Sequence, residues 1–396
     1  YLDSLSREVG GDAQFQRELA EAYEKIGNLQ GGKGNEGSLG SPEKALESLR
    51  KSLRLREALV SGARPDPKDK NDLAQTLIAM GNLAQRQGSK AESLAYYRRA
   101  AAIREALVAE SPADAGLKND LGVSYHFIAT GLYETGDEPG QIQARRKEVA
   151  LFAEVAALKP GDRKARRNLA LAYQYLGSEL SGSTAIARPS DDLPGAAQAL
   201  GTARSIQEAL CAEDPGNATY KKDLSSTLAE LAHLQTQMGR LAEAVESVRN
   251  ALQIRETLAA ADPKDITVRK LVTASQMRLG NQLAMLGEYD EAIEHGRKGV
   301  VLAEGVLADD PKNVYLRSDL AQALWYLGAS LCGSARSSRR AAPAVEDGRA
   351  ALRRSHDIYA ALKAAGQLPA VHLDYFQKVL EERQSCEIPV AGALLR

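Results

Sequence analysis

A nine-residue pattern returns along this chain at nearly constant intervals, which commits it to stacking copies of one structural unit. The pattern is Leu-small-x-x-Leu/Tyr-x-x-apolar-small. It runs over Leu19–Gly27, Leu73–Gly81, Leu121–Ala129, Leu169–Gly177, Leu224–Ala232, Val272–Gly280 and Leu320–Gly328, with starts 54, 48, 48, 55, 48 and 48 residues apart. Prolines give a second ruler: Pro67, Pro112, Pro160, Pro215, Pro263 and Pro311 are spaced 45, 48, 55, 48 and 48. Both rulers imply seven repeats, at about 13–67, 68–112, 113–160, 161–215, 216–263, 264–311 and 312–369, after a lead-in over 1–12.

Each repeat reads as two antiparallel helices. In the second, Leu73, Leu77, Met80, Leu83 and Ala84 recur at helical spacing up to Gly88, a residue suited to the left-handed turn after a helix. The partner helix carries Leu94, Tyr97, Ala101, Ile103 and Leu107 along one side and is closed by Pro112. Gly81, Ser93 and Ala100 are small enough to let two backbones approach to about 8–10 Å. The first, fourth and seventh repeats carry insertions, "GGKGNEGSLGSP", "SGSTAIARPSDDLP" and "CGSARSSRRAAP", predicted to be exposed and mobile. Leu19, Leu169 and Leu320 lie 150 and 151 residues apart, so a three-repeat block has been copied. Residues 370–385 are predicted to form a terminal helix over the last apolar face, through Val371, Tyr375, Val379 and Leu380, with a flexible tail over 386–396.

Composition narrows the functions open to such a stack. Fifty-one Lys and Arg against 52 Asp and Glu leave a net charge of −1, giving no electrostatic reason to expect nucleic acid or an anionic membrane as partner. No apolar run approaches the roughly 20 residues that span a bilayer. Three cysteines (Cys211, Cys332, Cys386) make neither a disulfide framework nor a metal motif, and five scattered histidines lack metal-ligand spacing. No cofactor is expected. A chain opening at Tyr1 reads as part of something longer.

"LGNQLAMLGEYDEAIEHGRKGV" resembles a tetratricopeptide repeat through Leu279, Gly280, Leu283, Gly287, Ala292 and Gly299, with Gly296 where an aromatic is usual. The second repeat resembles it through Met80, Gly81, Ala84, Gly88, Ser93, Tyr97 and Ala100, and the fifth through Leu231, Ala232, Gly239, Ala244, Val248 and Ala251. In the third, Gln141, Arg145 and Glu148 occupy the small-aromatic-small positions, which puts its packing in question. The period of 48 exceeds the family's 34, so the helices or their exits are expected to be longer. The resemblance implies an all-α, right-handed α-solenoid. The opening "YLDSLSREVGGDAQFQRELAEAYEKIGNLQG", with its Gly-rich insertion and the stretch "ALESLRKSLRLREAL", also resembles the repeat region after the catalytic domain and membrane segment of some bacterial serine/threonine protein kinases. The motifs of kinase chemistry are not in this sequence.

In such arrays the first helices line the concave side. The resemblance places there Asn28, Asn82, His126, Thr130, Tyr133, Gln174, Ser178, His233, Asn281 and Trp325, beside Ile78 and Met277. Arg145, Arg146 and Lys147, with Arg163, Lys164, Arg166 and Arg167, read either as solvated helix faces or as a basic patch for an acidic or phosphorylated segment. Two functions stay open. One is a non-catalytic protein-interaction scaffold holding a protein or peptide segment, as the docking region of a larger signalling protein; the other is a ligand-sensing or enzymatic solenoid with a small molecule in its groove.

Overall fold

A computed structural model describes residues 12–32, 40–62, 65–182, 192–338 and 342–387. Most of the lead-in, the middles of the insertions after Gly32 and Gly182, residues 339–341 of the third, and the tail from 388 onward lie outside the described residues. Among the described residues all regular structure is helical, as the repeat pattern predicts: fifteen α-helices and one 3-10 turn, arranged as an all-α solenoid of hairpins. The helices are α1 (Ala13–Gly31), α2 (Pro42–Val60), α3 (Pro67–Arg86), α4 (Lys90–Glu110), α5 (Ala115–Thr135), α6 (Glu138–Leu158), α7 (Arg163–Leu180) and α8 (Leu193–Glu213). They continue as α9 (Ala218–Gln237), α10 (Leu241–Ala261), α11 (Ile266–Leu286), α12 (Tyr289–Asp309), α13 (Val314–Ser338), α14 (Ala342–Ala364) and α15 (Leu373–Glu387), the last entered through the turn Ala370–His372. They gather into two compact units, Tyr1–Leu176 and Gly177–Arg396, with α7 running through the boundary.

The proline ruler marks the entry to every first helix after α1. Asp66, Asp114, Asp162, Asn217, Asp265 and Asn313 each accept a hydrogen bond from the backbone N–H two residues on, at 2.7–3.1 Å. Such caps contribute about 1 kcal/mol apiece. Five of these prolines sit two residues before the cap, where they cannot continue the preceding helix. Pro67 instead follows its cap as the first helical residue, which accounts for the odd interval of 45. Inside four hairpins the turn is a glycine with positive φ, as at Gly88 (φ +78°) and Gly287 (φ +84°).

Helix bodies pack through close approaches. A Cβ on Gly81 would stand 2.4 Å from the Tyr97 ring, so hairpin α3–α4 closes only because that residue has no side chain. Consecutive hairpins are then tied by buried arginines. Arg104 of α4 donates to Asn71 Oδ1 at 2.9 Å and Gln75 Oε1 at 3.2 Å on α3, and to the Asp120 carbonyl at 2.9 Å and Ser124 Oγ at 2.8 Å on α5. Arg255 of α10 reaches Ser225 on α9, and the Leu271 carbonyl and Ser275 on α11. Burial brings the Arg255 value down to about 10. Arg56 of α2 pairs with Glu24 on α1 and Asp72 on α3. Each guanidinium thus ties its own helix to two others, whose polar groups replace much of the water it loses.

The carboxyl-terminal end departs from expectation in three places. The stretch from Cys332 was predicted to be an exposed loop, yet α13 continues to Ser338 and buries Cys332, Ser334 and Ala335. The reason is local: the Tyr289 ring lies against this turn so closely that a Cβ on Gly333 would come within 2.5 Å. Cys386, assigned to a flexible tail, belongs instead to α15 and is buried. It forms a disulfide with Cys332 at a Cα–Cα distance of 5.7 Å, so the cysteines do pair. The sequence hid this because the two cysteines lie 54 positions apart with a whole helix between them.

Candidate functional site

In the carboxyl-terminal unit α9, α11, α12, α13 and α15 line an open cavity of about 560 Å³. Its lining mixes apolar side chains, from Leu271, Met277, Ala303, Val306 and Leu316, with polar ones, from His233, Lys270, Arg278, Asn281, Gln282, Asp319 and Gln322. Tyr326, Tyr375 and Lys378 complete the wall. Burial pushes the Tyr326 phenol up to about 12 and raises the Asp319 carboxyl, which nearby Lys270 partly offsets. It also lowers His233, with the Arg278 charge adding to the effect. Arg278 is fixed by donating to the Ala229 carbonyl at 2.6 Å, and Gln282 by donating to Thr236 Oγ1 at 2.9 Å. The cavity therefore offers cations, one carboxyl and several amides alongside apolar side chains, a lining suited to holding a polar chain or molecule in one orientation.

Of the expected groove residues, the structure brings His233 and Asn281 together at this cavity, along with Met277. Trp325 does not line it. Only 9% exposed, it packs in the core under α15 with ring centroids 5.8 Å from Tyr375. Ser178 is also buried, near the end of α7, and Ile78 belongs to the core of hairpin α3–α4. Asn82 is engaged within its own hairpin, accepting from the Tyr97 hydroxyl at 2.8 Å. Asn28 and Gln174 are half-buried, and Tyr133 is 49% exposed. Thr130 donates to the His126 carbonyl at 3.1 Å.

The residues that looked like a basic patch are divided. Arg145 turns inward: its Nη1 lies 2.7 Å from Glu148 Oε2 and 2.8 Å from His126 Nδ1, and its guanidinium stacks 4.9 Å from the Tyr175 ring centre. His126 Nδ1 is also 3.1 Å from Glu148 Oε1, so the ring tautomer sets which of the two it serves. Lys147 lies over Tyr125 and donates to its hydroxyl at 3.0 Å. Arg146, Arg163 and Lys164 are exposed, and Arg166 and Arg167 half-buried. Among the described residues no group of His, Cys, Asp or Glu could hold a metal ion, and no helix is long and apolar enough to cross a membrane.

Lys270, Asp319, Gln322 and Lys378 were missed by sequence reasoning, which followed the positions alternating with each small packing residue, and Tyr375 was read only as a packing residue of the terminal helix. Tyr375 and Lys378, one turn apart on α15, are the pair that periodicity could have found.

Tetratricopeptide repeat models match residues 73–113 and 225–258, so the chain carries such repeats in its second and fifth hairpins. No curated protein sequence matches it. Among solved structures, the apo form of RapI is 10% identical with a TM-score of 0.53, covering 94% of this chain and 98% of that one. A signal transduction ATPase with numerous domains, from Pyrococcus horikoshii, carries a tetratricopeptide repeat sensor; it is 12% identical with a TM-score of 0.50 over 95% of this chain. This chain spans 48% of that ATPase's length. Both likenesses are of fold: a solenoid of helical hairpins.

Proposed function

We propose that the chain is a non-catalytic interaction scaffold whose inner surfaces hold an extended or helical segment of a protein partner. The observation that carries this reading is the cavity of the carboxyl-terminal unit, where His233 and Asn281 meet Lys270, Asp319 and Lys378. Open faces of stacked hairpins suit a chain-like ligand and poorly exclude water from a reaction. The ATPase in which a tetratricopeptide array serves as sensor supports a finer reading. On that reading the chain is the docking or sensing part of a larger signalling protein, such as a bacterial serine/threonine kinase. A second reading, a small-molecule sensor, is favoured by the cavity's size, since about 300–1,000 Å³ is usual for such sites.

The test is capture of a partner from a homologous lysate, then titration calorimetry with the purified partner. Asn281→Ala and Lys378→Ala should each weaken binding about tenfold, or 1.4 kcal/mol, with helicity unchanged. Undiminished affinity in both would reject the cavity as the docking site, and phosphoryl transfer by the purified chain would reject the scaffold.

A further inference from the structure

One wall of the cavity is a helix fastened at its far end by a covalent bond. Tyr375 and Lys378 of α15 line the cavity, and the helix otherwise rests on Val379 and the half-buried Tyr375 and Phe376, whose rings meet Trp325, His356 and Tyr359. Of residues 373–386 only Val379 and Cys386 are buried, whereas α11, another wall, buries ten. Cys386 is bonded to Cys332 on α13. Around the bond, Arg349 donates to the Cys386 carbonyl at 3.1 and 3.3 Å, and Arg336 to Ser385 Oγ at 2.9 Å. A helix of this length is marginal in water by itself, and the crosslink adds a covalent tie at its end to those few contacts.

We propose that Cys332–Cys386 is a redox latch on the cavity: oxidised, it keeps α15 in place as a wall; reduced, it releases the helix and opens that side. The reductant is a dithiol. One of its thiolates attacks a chain sulfur, the S–S bond breaks and a mixed disulfide forms. The second thiol then displaces the chain, leaving two cysteine thiols and an oxidised dithiol, a balanced transfer of two electrons and two protons. Both sulfurs are buried, and fraying of the last turn of α15, where Cys386 stands, supplies the access. Docking at this cavity would then depend on redox state, a consequence that rests on the function proposed above.

The latch itself is tested without any ligand. Trp325 is the chain's single tryptophan and packs against Tyr375 of α15, so its emission reports the helix directly. Treating the full chain with dithiothreitol should shift that emission to the red and speed hydrogen exchange over 373–387 by about tenfold or more, leaving α9–α12 protected. Cys332→Ser/Cys386→Ser should show this state without reductant and respond no further, whereas Cys211→Ser should respond like the unaltered chain. Three titratable thiols in the untreated chain would overturn the proposal. So would unchanged emission and exchange once thiol titration shows the bond reduced, or loss of protection across the whole unit. A shift in emission with unchanged affinity for the captured partner would support the latch and reject the docking reading.

Discussion

Hairpins α3–α4 and α5–α6 occupy adjacent repeats and close themselves in opposite ways. In the first, a tyrosine ring lies against a glycine, and its hydroxyl is satisfied by Asn82 and Gln85. In the second, the residues 48 positions later are Ala129, Arg145 and Glu148. The place of the ring is taken by a guanidinium–carboxylate pair that draws in His126 and Tyr175. What looked like decay of the motif is a polar lock with its charges matched. A third solution stands in hairpin α11–α12, where Gly296 has no ring at all and Leu327 of the next hairpin fills the space, 3.2 Å from where a Cβ would be. The repeat specifies a volume to be filled and leaves the chemistry of filling free.

The comparison breaks most sharply at Glu148. Glu148→Ala removes the carboxylate 2.7 Å from the buried Arg145 Nη1 and should destabilise the amino-terminal unit by about 3–5 kcal/mol, whereas Arg145→Met/Glu148→Leu should recover most of that loss. Urea midpoints of the two chains decide the matter, and equal midpoints would show that the pair is not a unit. The apolar lock should be less costly to disturb: Gly81→Leu forces the Tyr97 ring aside and is expected to cost about 1–3 kcal/mol. Asn82→Ala removes one acceptor of the Tyr97 hydroxyl and should cost about 1 kcal/mol; a larger loss would mean Gln85 does not take over.

The smallest expected effect is acid sensitivity. Burial holds His295, in hairpin α11–α12, below the ordinary imidazole value, and the nearby Lys298 lowers it further. Its folded value lies under its unfolded one, so the neutral form favours folding. That stability is present above the unfolded value of about 6.5 and fades as pH falls through the folded value. Between pH 7 and 5, hydrogen exchange, corrected for its intrinsic rate, should quicken in α11–α12 and not in α3–α4, whose lock contains no imidazole. Equal responses would remove the distinction.

What the sequence disclosed rests on periodicity. The proline and leucine rulers mark caps and packing helices because those roles need particular residue types at fixed offsets. The buried arginines were equally periodic, Arg56 and Arg104 lying 48 apart and Arg255 a three-repeat block further, but an arginine reads as surface until its partners on two other helices are known. Groove residues were harder, because facing inward and facing the groove differ by less than a helical turn. Trp325 fell on the core side of that line and Asn281 on the cavity side. The interruption near Cys332 looked like a loop by composition, yet contacts with Tyr289 keep it helical.

The single disulfide also makes geography a variable. Thiol-rich cytosols keep such bonds open, while periplasmic and extracellular spaces keep them closed. The same polypeptide would then present a walled cavity on one side of a membrane and a loosened one on the other, with no change in a single residue.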